Sequence, residues 1–220
     1  MRPRFVLLAL GALVAAAPVV HAQEYSPVRW SIYGGFNEPV GNSGNILNTG
    51  WNFGFGVTFR EPGKPLGIRL DFDYSSNNAS ASFINTVNNS QCSAVNTGLC
   101  INGGWASVWS ATANVEFQHL FTNTMYGYAI AGIGAYYTDF SLTEYGYGYV
   151  CNPWWYYCYP GVGNVVVANN SGTHFGWNAG GGVSFRLQGG SSLFLEARFT
   201  QVDTSNQKFE YIPVTFGIKF

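Results

Sequence analysis

From Leu66 to Tyr74 the chain changes character at every step: Ile68, Leu70, Phe72 and Tyr74 fall on one side, Arg69, Asp71 and Asp73 on the other. Only an extended strand separates such a run into two surfaces, because its successive side chains point to opposite faces. The period of two recurs along the chain. Trp51, Phe53, Phe55, Val57 and Phe59 oppose Asn52, Gly54, Gly56, Thr58 and Arg60. Trp105, Trp109, Ala111, Ala113, Val115 and Phe117 oppose Ser110, Thr112, Asn114, Glu116 and Gln118. Phe175, Trp177, Ala179, Val183 and Phe185 oppose Gly176, Asn178, Gly180, Gly182, Ser184 and Arg186, while Leu193, Leu195, Ala197 and Phe199 oppose Glu196, Arg198 and Thr200. At the end, Ile212, Val214, Phe216, Ile218 and Phe220 stand against Tyr211, Thr215, Gly217 and Lys219. Residues 28–36 carry a weaker version, with Trp30 and Ile32 against Arg29 and Ser31. Residues 125–139 are apolar or small on both sides, which leaves their facing open. The count is eight strands.

A greasy strand face needs an apolar neighbour, either a packed core or lipid. Several large aromatics per strand are more than the interior of an eight-stranded barrel can hold, whereas the opposite face of Gly, Ser, Thr and Asn suits a narrow lumen. Charge agrees: Arg69, Asp71, Asp73, Glu116, Arg186, Glu196 and Arg198 all lie on the small-residue face. An arginine facing lipid at mid-depth costs about 2–4 kcal/mol, so these side chains are expected to point inward. Only 10% of residues are charged and 17% are aromatic, a poor composition for a water-facing surface. The amino terminus reads as an export signal at residues 1–22: Arg2 and Arg4, an apolar run from Phe5 to Val20, then Val20-His21-Ala22, with cleavage expected after Ala22. No cysteine stands at the cleavage point, so no lipid anchor is expected. No later stretch approaches 18 continuous apolar residues, so no transmembrane helix is expected either. The fold class is therefore all-β, an eight-stranded antiparallel up-and-down transmembrane barrel over residues 23–220. The connections support it. Short turns at 61–65, 121–124 and 188–191 alternate with long Asn-, Ser- and Gly-rich links at 37–50, 76–104 and 140–172, the rhythm of short periplasmic and long extracellular connections. The link at 203–208 is short but falls on the long-loop side.

The carboxyl-terminal run EYIPVTFGIKF, ending at Phe220 with Phe216 and Ile218 on the same face, resembles that of the OmpA/OmpX-like family of small outer-membrane β-barrels, which includes opacity-type surface proteins. The resemblance spans about residues 25–220. It implies residence in the outer membrane of a diderm bacterium, contact with outer-membrane lipid, and Phe220 as part of the signal read by the barrel-assembly machinery. The peptidoglycan-binding domain that some relatives carry after the barrel is expected to be absent.

The inward charges are the main constellation with chemical content, and they read either as a self-paired plug or as an ion path. Glu196 and Arg198 are expected to meet charges from the strands at 68–74 or 105–119. His119 and His174 stand in no pattern with serine and carboxylate that would mark acyl transfer, and no enzyme, metal or cofactor is expected. The four cysteines at 92, 100, 151 and 158 match no zinc spacing and read as disulfides in an exported chain. Local bridges Cys92–Cys100 and Cys151–Cys158 are expected, although four cysteines permit three connectivities. The second bridge would staple the tip of a hairpin that continues two barrel strands beyond the membrane. That places Trp154, Trp155, Tyr156 and Tyr157 outside the cell, where they either pack together or bind an extracellular glycan or protein. Removing Arg2 and Arg4 leaves eight basic side chains against 11 acidic ones, which calls for no nucleic acid. The reading is a monomeric barrel with a structural or surface-interactive, adhesion-like role. A narrow porin-like pore and an outer-membrane lipid-modifying enzyme are the alternatives.

Overall fold

The computed structural model describes residues 27–92, 100–152, 157–187, 190–204 and 208–220. The expected export signal lies outside them, as do Trp154, Trp155 and Tyr156. Eight strands close into one barrel in sequence order, each antiparallel to its neighbours. They are β1 (Val28–Pro39), β2 (Gly50–Phe59), β3 (Leu66–Asn78), β4 (Ile101–Leu120), β5 (Met125–Asn152), β6 (Tyr157–Arg186), β7 (Ser192–Asp203) and β8 (Lys208–Lys219). Closure is made by β1 against β8, with Ile32 opposite Ile218. Trp30 and Phe220 fasten the seam by exchanging both backbone hydrogen bonds at 2.9 Å.

Facing follows the alternation. Phe53, Phe55, Phe72, Trp109 and Phe117 are each about half exposed, while Asn52, Arg69, Asp71, Asn114 and Glu116 are buried. The greasy side is thus the outer wall, since the lumen has room only for the other. The strand at 125–139 takes a definite phase as well: Tyr126, Tyr128, Ile130 and Tyr136 point inward, Ile133 and Tyr137 outward. The sequence pattern is ambiguous here because tyrosine suits both settings, being apolar in body and polar at its tip. What fixes the phase is room on the next strand. A Cβ on Gly182 would lie 2.6 Å from the Tyr128 hydroxyl, and one on Gly176 would lie 2.8 Å from the Tyr136 ring.

At one end the connections are tight. In the turn after β2, the Lys64 N–H donates to the Glu61 carbonyl at 3.1 Å, and Gly63 adopts φ 78°. Proline then glycine at the two central positions is the residue order of a type II turn. The ladder between β7 and β8 passes from Ala197↔Val214 to Thr200↔Tyr211, omitting two rungs at Pro213, which has no N–H to give, and its neighbour Ile212.

At the other end the links are more ordered than their composition suggests. Two helices form where only loops were expected: α1 (Asn42–Ile46) in the 37–50 link and α2 (Ala81–Gln91) in the 76–104 link. An 11-residue helix rich in Asn and Ser is marginal alone, so its contacts must hold it. Ser80 caps it by accepting from the Phe83 N–H at 3.2 Å. Asn88 brackets the Ile101 backbone with two 2.8 Å bonds, and Phe83 meets Phe140 edge to face at 6.2 Å. The 140–172 link is what the sequence led us to expect: β5 and β6 continue through it as a hairpin, paired up to Asn152↔Tyr157.

Candidate functional site

The lumen is crossed by one layer of ion pairs. Arg69 and Asp71 share the inward face of β3, and Arg69 Nε lies 2.7 Å from Asp71 Oδ1. β7 stands across the barrel from β3, so Arg69 Nη1 spans the lumen to reach Glu196 Oε2 at 2.9 Å. Arg198, two residues beyond Glu196 on the same face, pairs with it and sends Nη1 to Asp71 Oδ2 at 2.9 Å. Glu116 on β4 gathers Arg60 at 2.7 Å, Lys219 at 3.2 Å and Arg69 at 3.7 Å. The expected meeting of Glu196 and Arg198 with charges from β3 therefore occurs.

Neutral groups complete the layer. The Tyr33 hydroxyl donates to Asp71 Oδ1 at 3.1 Å, and Asn114 Nδ2 donates to Asp71 Oδ2 at 2.9 Å. The Arg69 guanidinium lies over the Tyr33 and Phe194 rings at 5.2 and 5.5 Å, and Lys219 Nζ over Tyr128 at 4.3 Å. Arg69, Asp71 and Glu116 have no exposed surface. Charges so buried persist only when paired, and these pairs link β3, β4, β7, β8 and Arg60, just past β2, across the barrel.

Two sequence expectations need correction. Arg186 is exposed at the turn end and takes no part in the layer, because it is the last residue of β6 and the wall ends there. Asp73 is half-buried and makes no ion pair within 4 Å among the described residues. It accepts a 3.3 Å hydrogen bond from Ser110 and lines a cavity of about 40 Å³ with Tyr136, Asn178 and Tyr211. Conversely, Arg60 and Lys219 belong to the layer, although the sequence reading did not place them in it. Each sits on the small-residue face at a strand end, and that position is the signal that marks them. Along one side of the cavity, Val108, Tyr136, Val202 and Tyr211 pack into an apolar cluster with Phe209 against it.

The loop end holds the other candidates. Cys92 and Cys100 form a disulfide with Cα atoms 5.1 Å apart, tying the end of α2 to the start of β4. In the register Cys151 stands directly opposite Cys158. The side chains of Cys151 and Tyr157 lie outside the described residues. β6 begins to pair with β7 only at Phe175↔Asp203, so the 18 residues from Tyr157 to His174 run past the end of β7. Along this extension Tyr145 is 69% exposed and Val165, Val166 and Val167 are all exposed. The loop end of the barrel is chiefly acidic: Glu38, Asp139, Glu144, Asp203 and Glu210 occupy the loop ends of β1, β5, β7 and β8, against Lys208. His119 is exposed on the outer wall at the turn end, with its ring against Phe121, while His174 lies opposite Tyr136 near the loop end. The two histidines therefore share no site. Among the described residues no cluster of His, Cys, Asp or Glu could hold a metal ion.

Comparison with known proteins agrees with this architecture. The family described as "Outer membrane protein beta-barrel domain" matches residues 5–220. A major outer membrane protein from Thermus thermophilus superposes with a TM-score of 0.55 at 12% identity, covering 89% of this chain and 99% of that one. Neisserial surface protein A gives 0.53 at 12% identity, covering 90% and 98%. Ail, the attachment invasion locus protein of Yersinia pestis, solved with the heparin analogue sucrose octasulfate, gives 0.46 at 16% identity, covering 89% and 100%. No curated protein matches the chain.

Proposed function

The chain belongs to the outer membrane protein beta-barrel domain family, and we propose for it a surface-interaction role carried by the hairpin of β5 and β6. It is an integral protein of the outer membrane of a diderm bacterium. In this reading the turns face the periplasm and the long links face outward. The observation that carries the proposal is length. A strand needs about 9–11 residues to cross a bilayer, and β2, β7 and β8 have 10, 12 and 12, but β5 and β6 have 28 and 30. The surplus contributes nothing to spanning. In this reading it extends outside the cell as a paired hairpin, with the expected Cys151–Cys158 bridge and the aromatic run Trp154, Trp155, Tyr156 and Tyr157 as its proposed contact surface. The acidic excess around its base favours a neutral glycan or a basic protein surface over a polyanion. The ion-pair layer acts as a structural plug, and Phe220 serves the barrel-assembly machinery. The export signal is removed after Ala22.

The test is a pair of variants. Trp154→Ala with Trp155→Ala, and deletion of 147–162, should both give barrels that assemble at the cell surface with wild-type heat-modifiable mobility. Binding of cells or of an immobilised glycan and matrix-protein panel should fall at least several-fold in both. Binding equal to wild type in the deletion variant removes the proposal.

A further inference from the structure

At the turn end, below the ion-pair layer, lies a vestibule of about 340 Å³. Four cationic side chains line it: Arg29 from β1, Arg60 just past β2, Lys64 from the following turn and Arg186 at the end of β6. One carboxylate, Glu61, shares the lining. The cations are poorly satisfied. Arg60 commits Nη2 to Glu116, and its Nε is buried with no hydrogen-bond partner. Among the described residues Arg29 reaches the Gly190 carbonyl at 3.3 Å and the Ser192 hydroxyl at 3.5 Å, both long for a guanidinium. The Lys64 and Arg186 side chains make no hydrogen bond or ion pair among the described residues.

Like charges around one concave space repel, and walls of low dielectric concentrate their field. Proteins relieve such a cluster with an anion. Guanidinium forks suit a tetrahedral oxyanion, which accepts several N–H bonds at once. Tyr126 also lines the vestibule, together with Gln118, His119 and Leu120 from the turn end of β4, where a strand leaves the bilayer. The paired layer above it, with Glu116 and Arg69 fully buried, blocks onward passage. Occupancy there is binding rather than transit.

We infer that this periplasmic vestibule is a binding site for a phosphate group, carried by a soluble phosphate ester or by the headgroup of an anionic phospholipid. The inference does not depend on the extracellular reading. It is tested with the full chain in zwitterionic phosphatidylcholine nanodiscs, wild type against Lys64→Gln with Arg186→Gln, both exposed positions outside the ion-pair layer. Glycerol phosphate is titrated by calorimetry against chloride at equal ionic strength. Phosphatidylglycerol retention is counted by native mass spectrometry after transfer to mixed discs. Glycerol phosphate binding that the double variant weakens about tenfold supports a soluble ester. One retained phosphatidylglycerol per wild-type chain, lost in the variant and displacing glycerol phosphate, supports the headgroup. The inference is overturned if glycerol phosphate binds no better than chloride and lipid retention is equal in the two proteins. It is equally overturned if binding occurs but is unchanged in the variant.

Discussion

At the scale of single residues, Arg69 is the most connected side chain of the lumen. Its neighbours explain why an arginine is found there rather than a lysine. A planar fork serves Asp71 and Glu196 together and stacks near the Tyr33 and Phe194 rings, which a point charge cannot do. Substituting Arg69→Met keeps most of the volume but leaves buried carboxylates without their partner. We expect a loss of about 3–5 kcal/mol in urea unfolding from lipid vesicles, against less than about 0.5 kcal/mol for Lys208→Gln at the exposed rim. Equal losses would show that the layer is not held by its pairing. Which charges lie inward was readable from the alternation except at Arg186, where the wall ends and the side chain is exposed. Which of them touch was not, because Arg69 and Glu196 are 127 positions apart and meet only after closure. The alternation puts Arg60 and Lys219 on the same face, but their common partner Glu116 is hidden for the same reason.

At the scale of elements, the strands are robust and the loop helices are not. Phe55 sits in the middle of β2 between Ile32 and Phe72, facing outward. Phe55→Arg should cost about 2–4 kcal/mol of stability in vesicles, since it sets a guanidinium in lipid. A negligible cost would contradict the lipid-facing assignment of that wall. For α2, Ser80→Ala removes the cap and should destabilise the helix by about 0.5–2 kcal/mol. The check is hydrogen exchange: amides at 83–91 should exchange faster while those of β3 and β4 keep their protection. Composition gave no warning of α2, because Asn and Ser usually favour turns. It forms through Asn88 and Phe83, whose partners at Ile101 and Phe140 come from later strands.

At the scale of the whole molecule, the barrel is closed in the middle and opens at the turn end into the vestibule. The ion-pair layer and the apolar cluster of Val108, Tyr136, Val202 and Tyr211 fill successive levels of the lumen. Planar bilayers containing the wild-type protein should show no large, stable single-channel currents, and Arg69→Met should raise the frequency of brief openings. Stable currents from the wild type would replace the plug with a conducting path and revive the pore reading. Charge is also distributed by end, basic at the turns and acidic at the loops, so the two faces suit different partners.

The amino-acid order alone determined the strand count, the outward aromatic face and the inward charges, because a period of two is a local property that any extended chain expresses. Only the tertiary structure decided the phase of 125–139, the membership of the ion-pair layer, the existence of α2 and the vestibule at the turns. Each depends on which residues closure and register bring opposite one another. Contacts between residues a hundred positions apart leave no periodic trace in the chain that makes them.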